Sequence, residues 1–266
     1  MNNHRLSPSA APGAGAGPAE EIARQLSALY QLTEHSPQIF GSPLGPFTLR
    51  GRSFHLARFV YFGPQSADDS VRLAFYAGLD GADTRCVRAL ADFVAGLAFA
   101  PDLGQGLNLS FFPALNPSGL AHATSRNLNA TDLVRESWQD SEEPEIALLR
   151  QDARVRGYHG FVRIESAAVD KVTGLLRVPG ESSGAGGREV VDAQRSSDFA
   201  VEWQFPPGPP REGPLTMADD FAVRPFELVL RFPAAWTDDV TREAVAGVLR
   251  QFIVQYRATL SFGLNL

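Results

Sequence analysis

The sequence predicts a single α/β domain with a mixed, mostly parallel central sheet and helices on both of its faces. Three observations carry that expectation. Short, nearly continuous apolar runs, at 71–78 and 107–115 above all, have the composition of strands buried on both sides. Other segments space their apolar residues at helical intervals. The two kinds alternate along the chain, the order that builds a sheet covered on both faces.

Taken in order, residues 20–35 carry Ile22, Leu26, Leu29 and Tyr30 at helical spacing, and Ser36-Pro37 ends the run. Residues 47–62 alternate with Gly and Pro punctuation, which predicts a pair of strands. The run 71–78 is a central strand, and 83–99 sets Val87, Leu90, Phe93, Val94 and Leu97 along one helical face. A second buried strand, 107–115, ends at Asn116-Pro117, and the polar stretch from there to Trp138 reads as loop. Residues 144–155 form a helix with acids in its first turn, where the helix dipole favours them.

A short strand follows at 160–166. The Gly-rich stretch 175–197 is expected to be mobile, with 180–187 a candidate lid. Residues 226–232 form another strand, and 238–260 form a closing helix with Val240, Val245, Val248, Phe252 and Tyr256 in its apolar stripe. Residues 1–18, rich in Ala, Gly, Pro and Ser, read as a disordered tail. That leaves 19–266 as one domain.

Composition narrows the function classes. With 24 basic against 30 acidic side chains, the net charge is −6, so the chain lacks the basic field of a general nucleic-acid binder. Cys86 is the only cysteine, which excludes an internal disulfide and a cysteine-rich metal cluster. Lys171 is the only lysine. Arginine supplies the remaining positive charge, and its planar fork pairs bidentately with carboxylates. No run approaches the ~20 apolar residues of a membrane span, and the start lacks the pattern of a secretory signal. A cytoplasmic protein with no membrane partner is the expectation, with the oligomeric state left open. The chain has no Walker-type phosphate loop and no His-Glu-x-x-His pair.

In sheets of this class the site lies beyond the carboxyl ends of the central strands. The first such turn reads Ala77-Gly78-Leu79-Asp80-Gly81-Ala82-Asp83. The second strand leads into Asn116-Pro117-Ser118-Gly119, then Arg126-Asn127, then Asp132-Leu133-Val134-Arg135. From about Phe59 to the closing helix, this arrangement resembles the zinc carboxypeptidase family, especially its bacterial branch near succinylglutamate desuccinylase and aspartoacylase. The resemblance implies a phosphorylase/hydrolase-like α/β fold, a metal site in the first turn, and a loop that grips a substrate carboxylate.

The motif residues, however, are replaced. Asp80 and Asp83 stand where the family has the His and Glu of a His-x-x-Glu pair. Glu165 stands at the third ligand's place, a histidine in the family, and Arg231 stands at the catalytic glutamate's. Asp-Leu-Asn-Arg has become Asp132-Leu133-Val134-Arg135. By the resemblance, Arg126, Asn127 and Arg135 are the candidate substrate-binding residues. Asp80, Asp83 and Glu165 hold the metal positions, with zinc not expected. Arg231 holds the base position in an inactive form. Among the histidines only His122 lies in the pocket loop, and a lone loop histidine is more often solvated than ligating.

Three acids in one small volume need an explanation. At separations of about 4–5 Å each pair repels by roughly 3–4 kcal/mol at an effective dielectric of about 20. A hard divalent cation would relieve this, and so would an arginine or a retained proton. The favoured expectation is that Arg231 pairs with Asp80 or Glu165 and that no cofactor is needed. Asp80 and Asp83 equally suit the N-terminus of the following helix, where Asp is a preferred cap. Two functions remain open. One is a non-catalytic protein binding a small carboxylate-bearing molecule or a peptide end. The other is a metallo-hydrolase, a carboxypeptidase or N-acyl-amino-acid amidohydrolase, with an all-oxygen metal site.

Overall fold

Six-residue runs of Val, Leu, Phe and Tyr lose their apolar surface only if both faces of the strand are covered. The computed structural model describes residues 17–67, 70–136, 138, 140–178, 200–206 and 226–263, and it covers them in that way. The elements run α1 (Pro18–Thr33), β1 (Ile39–Gly41), β2 (Leu44–Leu49), β3 (Arg52–Leu56), β4 (Phe59–Phe62), β5 (Val71–Tyr76) and α2 (Thr84–Leu97). Then come β6 (Leu107–Phe112), α3 (Pro117–Ala121), α4 (Pro144–Arg156), β7 (Gly160–Ala167), β8 (Thr173–Arg177), β9 (Glu202–Gln204), β10 (Phe226–Pro233) and α5 (Asp238–Gly263).

Among the described residues one sheet has eight strands in the order β1-β4-β6-β5-β7-β10-β8-β9. Its centre, β6-β5-β7-β10, is parallel, while β4 on one side and β8 on the other pair antiparallel to it. Strand alternation splits the core into two. Leu73, Phe75, Val162, Ile164, Leu228 and Leu230 face one side, where α2 and α5 pack. Ala74, Tyr76, Phe112 and Phe161 face the other, under α4 and the β2–β3 hairpin. The mixed, mostly parallel sheet and its two covered faces agree with the sequence reading. Among the described residues no helix is long and apolar enough to cross a membrane.

Three local expectations need correction. Residues 47–62 hold parts of three strands rather than two. Arg50 (φ 45°) and Gly51 (φ 77°) make a two-residue turn with both positions left-handed, which closes the β2–β3 hairpin before the chain returns to the main sheet as β4. The polar stretch after Leu115 contains the short helix α3. Its local signal was the Asn116-Pro117 pair: Asn116 Oδ1 accepts from the Gly119 amide at 2.7 Å and Pro117 opens the first turn. The stretch assigned to the mobile region begins too early, since Leu175 to Arg177 belong to β8, paired with β10. The candidate lid at 180–187 and most of the N-terminal tail lie outside the described residues.

Candidate functional site

The exits of β5 and β6 build the floor of the site. The Asn116 amide donates to the Gly78 carbonyl at 2.8 Å, and the Asn116 side chain donates to Leu79 O at 3.1 Å. Two glycines permit this close approach. Gly78 sits at φ 70°, in the left-handed region, with Val87 Cγ2 at 2.7 Å from where a Cβ would be. At Gly81 a Cβ would meet the backbone of Gly119, Leu120 and Thr124 at 2.3–2.5 Å. The first crossover turn is thus clamped onto α3 and the loop after it.

A small cavity of about 130 Å3 opens there. Asp80, Asp83 and Glu165 line it together with Arg163, Tyr76 and Val134. The two aspartates serve the turn and the helix. Asp80 Oδ1 accepts from the Ala82 amide at 2.8 Å. Asp83 is the N-cap of α2, where its Oδ1 accepts from the Cys86 amide at 3.4 Å. The same carboxylate accepts from the Ser166 amide (2.7 Å) and the Ser166 hydroxyl (2.8 Å), so it ties the start of α2 to the end of β7. Burial pushes the neighbouring Cys86 thiol well up, and Asp83 adds to the shift, which keeps that sulfur a packing atom.

Glu165 is held from two sides. In the parallel β7–β10 register Arg231 lies directly beside Glu165, so the two side chains share a face. Arg231 Nε donates to Glu165 Oε1 at 2.8 Å. Arg163, two residues earlier on the same strand face, pairs with the other oxygen, Oε2. Arg163 is nearly sealed from water, its side chain 3% exposed against 18% for Glu165 and 38% for Arg231. On the same face, Glu227 of β10, fully buried, lies 3.8 Å from Arg177 of β8. Charge on this side of the sheet is therefore arranged in neighbouring pairs.

This donor set does not fit a zinc ion. Both oxygens of Glu165 point at guanidinium groups, and both oxygens of Asp83 are already acceptors for amides or a hydroxyl. Among the described residues no group of three or more His, Cys, Asp or Glu side chains is arranged to hold a metal ion. A positive charge already occupies the space beside Glu165 that a cation would need.

The candidate substrate-binding residues lie elsewhere. Arg126 is exposed and lines a second, wider groove, where its Nη1 donates to Ala130 O at 2.8 Å. Asn127 is buried and spends its side chain on the loop. Its Oδ1 accepts from the amides of Asn129 and Thr131, both at 3.0 Å, and its Nδ2 donates to Glu143 at 2.7 Å. Burial would raise the Glu143 pKa, but hydrogen bonds from Thr131, Asn127 and Asn129 outweigh it and hold the group below its usual value. Glu145, beneath it, goes the other way. Burial pushes its pKa up to about 7 despite its own backbone amide, and the charge of Glu143 adds to the rise. Arg135 points to solvent, 87% exposed, with Asp132 at 3.5 Å. The structure brings Asp80, Asp83, Glu165 and Arg231 together, and separates Arg126, Asn127 and Arg135 from them.

Two residues of the site were not singled out from the sequence. Arg163 was legible in principle, because in Phe161-Val-Arg-Ile-Glu165 alternation places it on the same face as Glu165. Ser166 carried no local signal, since its partner Asp83 is 83 residues away.

No protein-family model matches this chain, and a search of curated proteins finds none that matches it. Solved structures do. The metallo-carboxypeptidase from Burkholderia cenocepacia superposes with a TM-score of 0.66 at 19% identity, over 90% of this chain and 69% of that one. The metallo-carboxypeptidase from Pseudomonas aeruginosa in complex with (2-guanidinoethylmercapto)succinic acid gives 0.61 at 16%, over 90% and 68%. An aspartoacylase family protein from Mesorhizobium loti gives 0.54 at 13%, over 83% and 68%. The fold is zinc-carboxypeptidase-like, with an aspartoacylase-family protein among its structural neighbours.

Proposed function

We propose that this carboxypeptidase-like chain is a non-catalytic binding protein, whose ligand is a small carboxylate-bearing molecule or a peptide end. The observation that carries the reading is Glu165 gripped by Arg163 and Arg231. Hydrolysis on this fold needs a metal-activated water and a nearby carboxylate base. Here a guanidinium stands beside the one acid that faces the cavity from β7, and the aspartates are engaged by backbone. Glu227 does not replace the base, because it lies four residues down β10 from Arg231, roughly 13 Å away. Arg126, exposed in an open groove and suited to bidentate carboxylate pairing, supports the binding half. So does the dicarboxylic acid held by the Pseudomonas aeruginosa neighbour.

The rival reading, a hydrolase with an all-oxygen metal site, requires Asp80, Asp83 and Glu165 to give up these partners for a cation. A panel of peptides and N-acyl amino acids, incubated with the protein and added zinc, manganese or calcium, separates the two. The proposal expects no turnover above buffer. Turnover abolished by Asp80→Ala and by Glu165→Ala would overturn it.

A further inference from the structure

The second groove has a chemistry of its own. It is open, has a volume of about 550 Å3, and is bordered by the β2–β3 hairpin tip, the end of α3 and the 124–130 loop. Arg50 and Arg126 line it, and Arg52 reaches its edge by donating from Nη1 to His122 Nε2 at 3.2 Å. His122 Nδ1 donates to the Ser118 carbonyl at 2.8 Å, which fixes Nε2 as the acceptor.

No carboxylate lines the groove, although the chain as a whole carries a net charge of −6. Arg52 and Arg126 are steadied by neutral acceptors, an imidazole nitrogen and a carbonyl. Among the described residues none of Arg50, Arg52 and Arg126 makes an ion pair. Three guanidiniums around one concavity, with their charge unmatched, form a local positive field that an otherwise acidic surface does not account for.

The backbone points to the same place. The described non-glycine residues with positive φ are Arg50 (45°), Gln65 (61°), Ala123 (51°) and Ala130 (65°). Arg50 and Ala130 line the groove, and Ala123 precedes its Thr124. Left-handed backbone costs such residues about 1–2 kcal/mol each, and strain of this kind gathers at ligand sites. Arg50 is the clearest instance. The first position of its hairpin turn is one that Asn, Asp or Gly fills without penalty. Turn chemistry therefore does not explain an arginine there, whereas its charge over the groove does.

We propose that this groove is a binding site for a small dianion, a dicarboxylate or a phosphate ester, held by Arg50, Arg52 and Arg126 and separate from the Glu165 cavity. The proposal deepens the binding half of the proposed function and rests on it. Paired guanidiniums bind doubly charged oxyanions by charge-assisted, bidentate hydrogen bonds, and monoanions far less well.

Titration calorimetry of the full chain at low ionic strength, with succinate, inorganic phosphate and acetate as probes, tests it. Saturable binding of one succinate or one phosphate per chain, tighter than acetate and weakened by added salt, is expected. Whichever dianion binds more tightly assigns the source. Arg50→Asn and Arg126→Ala should each weaken binding by about 10-fold, the loss of one charge-assisted contact. Arg50→Asn suits the turn, so it should fold at least as well as the natural chain, and loss of binding there is not loss of structure. Arg231→Met should leave binding unchanged. Dianion binding that is lost in Arg231→Met but untouched by Arg50→Asn and Arg126→Ala would overturn this site while leaving the proposed function standing. Absence of saturable binding to any of the probes would also overturn this site, whereas the proposed function falls only to the turnover described above.

Discussion

If Glu165 compensates a buried guanidinium, its charge and that of Arg231 should matter to very different extents. Arg163 is almost completely buried, so Glu165→Gln leaves it facing a neutral amide in a low-dielectric space. Removing one partner of a buried pair costs about 3–5 kcal/mol. Because Glu165 is itself partly exposed, about 3 kcal/mol is the expected loss. Arg231 is over a third exposed, and a pair reached by water contributes about 0–1 kcal/mol. Arg231→Met should therefore cost under about 1 kcal/mol. In the Glu165→Gln background the sign should reverse, since removing Arg231 then relieves its repulsion from Arg163. Urea unfolding of the four proteins at pH 7, followed by tryptophan fluorescence, gives each value and the coupling between them. Equal costs for the two single substitutions, or an Arg231→Met effect that is the same in both backgrounds, would refute the reasoning.

Gly81→Ala should cost about 3 kcal/mol, at the upper end for overpacking, because the added Cβ meets backbone rather than a movable side chain. Gly51→Ala, left-handed but with open space around it, should cost only about 1 kcal/mol, and a comparison of thermal midpoints checks both. Glu145 carries a pH dependence. Its folded pKa of about 7 lies above the unfolded value of 4.5, so the native state binds the extra proton and stability falls as pH rises between those values. The total loss is at most about 3 kcal/mol. Glu145→Gln should lack that slope and be the more stable protein at pH 8, and parallel slopes for the two proteins between pH 5 and 8 would contradict the assignment.

What the sequence made legible was whatever local periodicity could encode. The apolar runs of β5 and β6 and the stripe of α2 each name their own burial, and together they imply a covered sheet. The hairpin turn at Arg50-Gly51 was missed because Arg hides a turn that Asn-Gly would have announced. For the site, the motif positions located Asp80, Asp83, Glu165 and Arg231 near one another, since all four follow or end central strands. Periodicity could not say that Arg126 and Arg135 would diverge, because a loop without period carries no direction. Nor could it reveal that Asn127 would spend its side chain on its own loop and on Glu143. The cationic groove joins a hairpin tip to a loop more than 70 residues later, a juxtaposition set by the fold alone.

The central claim is that arginine takes the place of a cation beside Glu165. Metal content after equilibrium dialysis against zinc, and separately against manganese and calcium, read by elemental analysis of the full chain, tests it most directly. The account predicts far less than one ion per chain for every metal, in the natural protein and in Glu165→Ala alike. One tightly held ion per chain that Asp80→Ala or Glu165→Ala removes would contradict it.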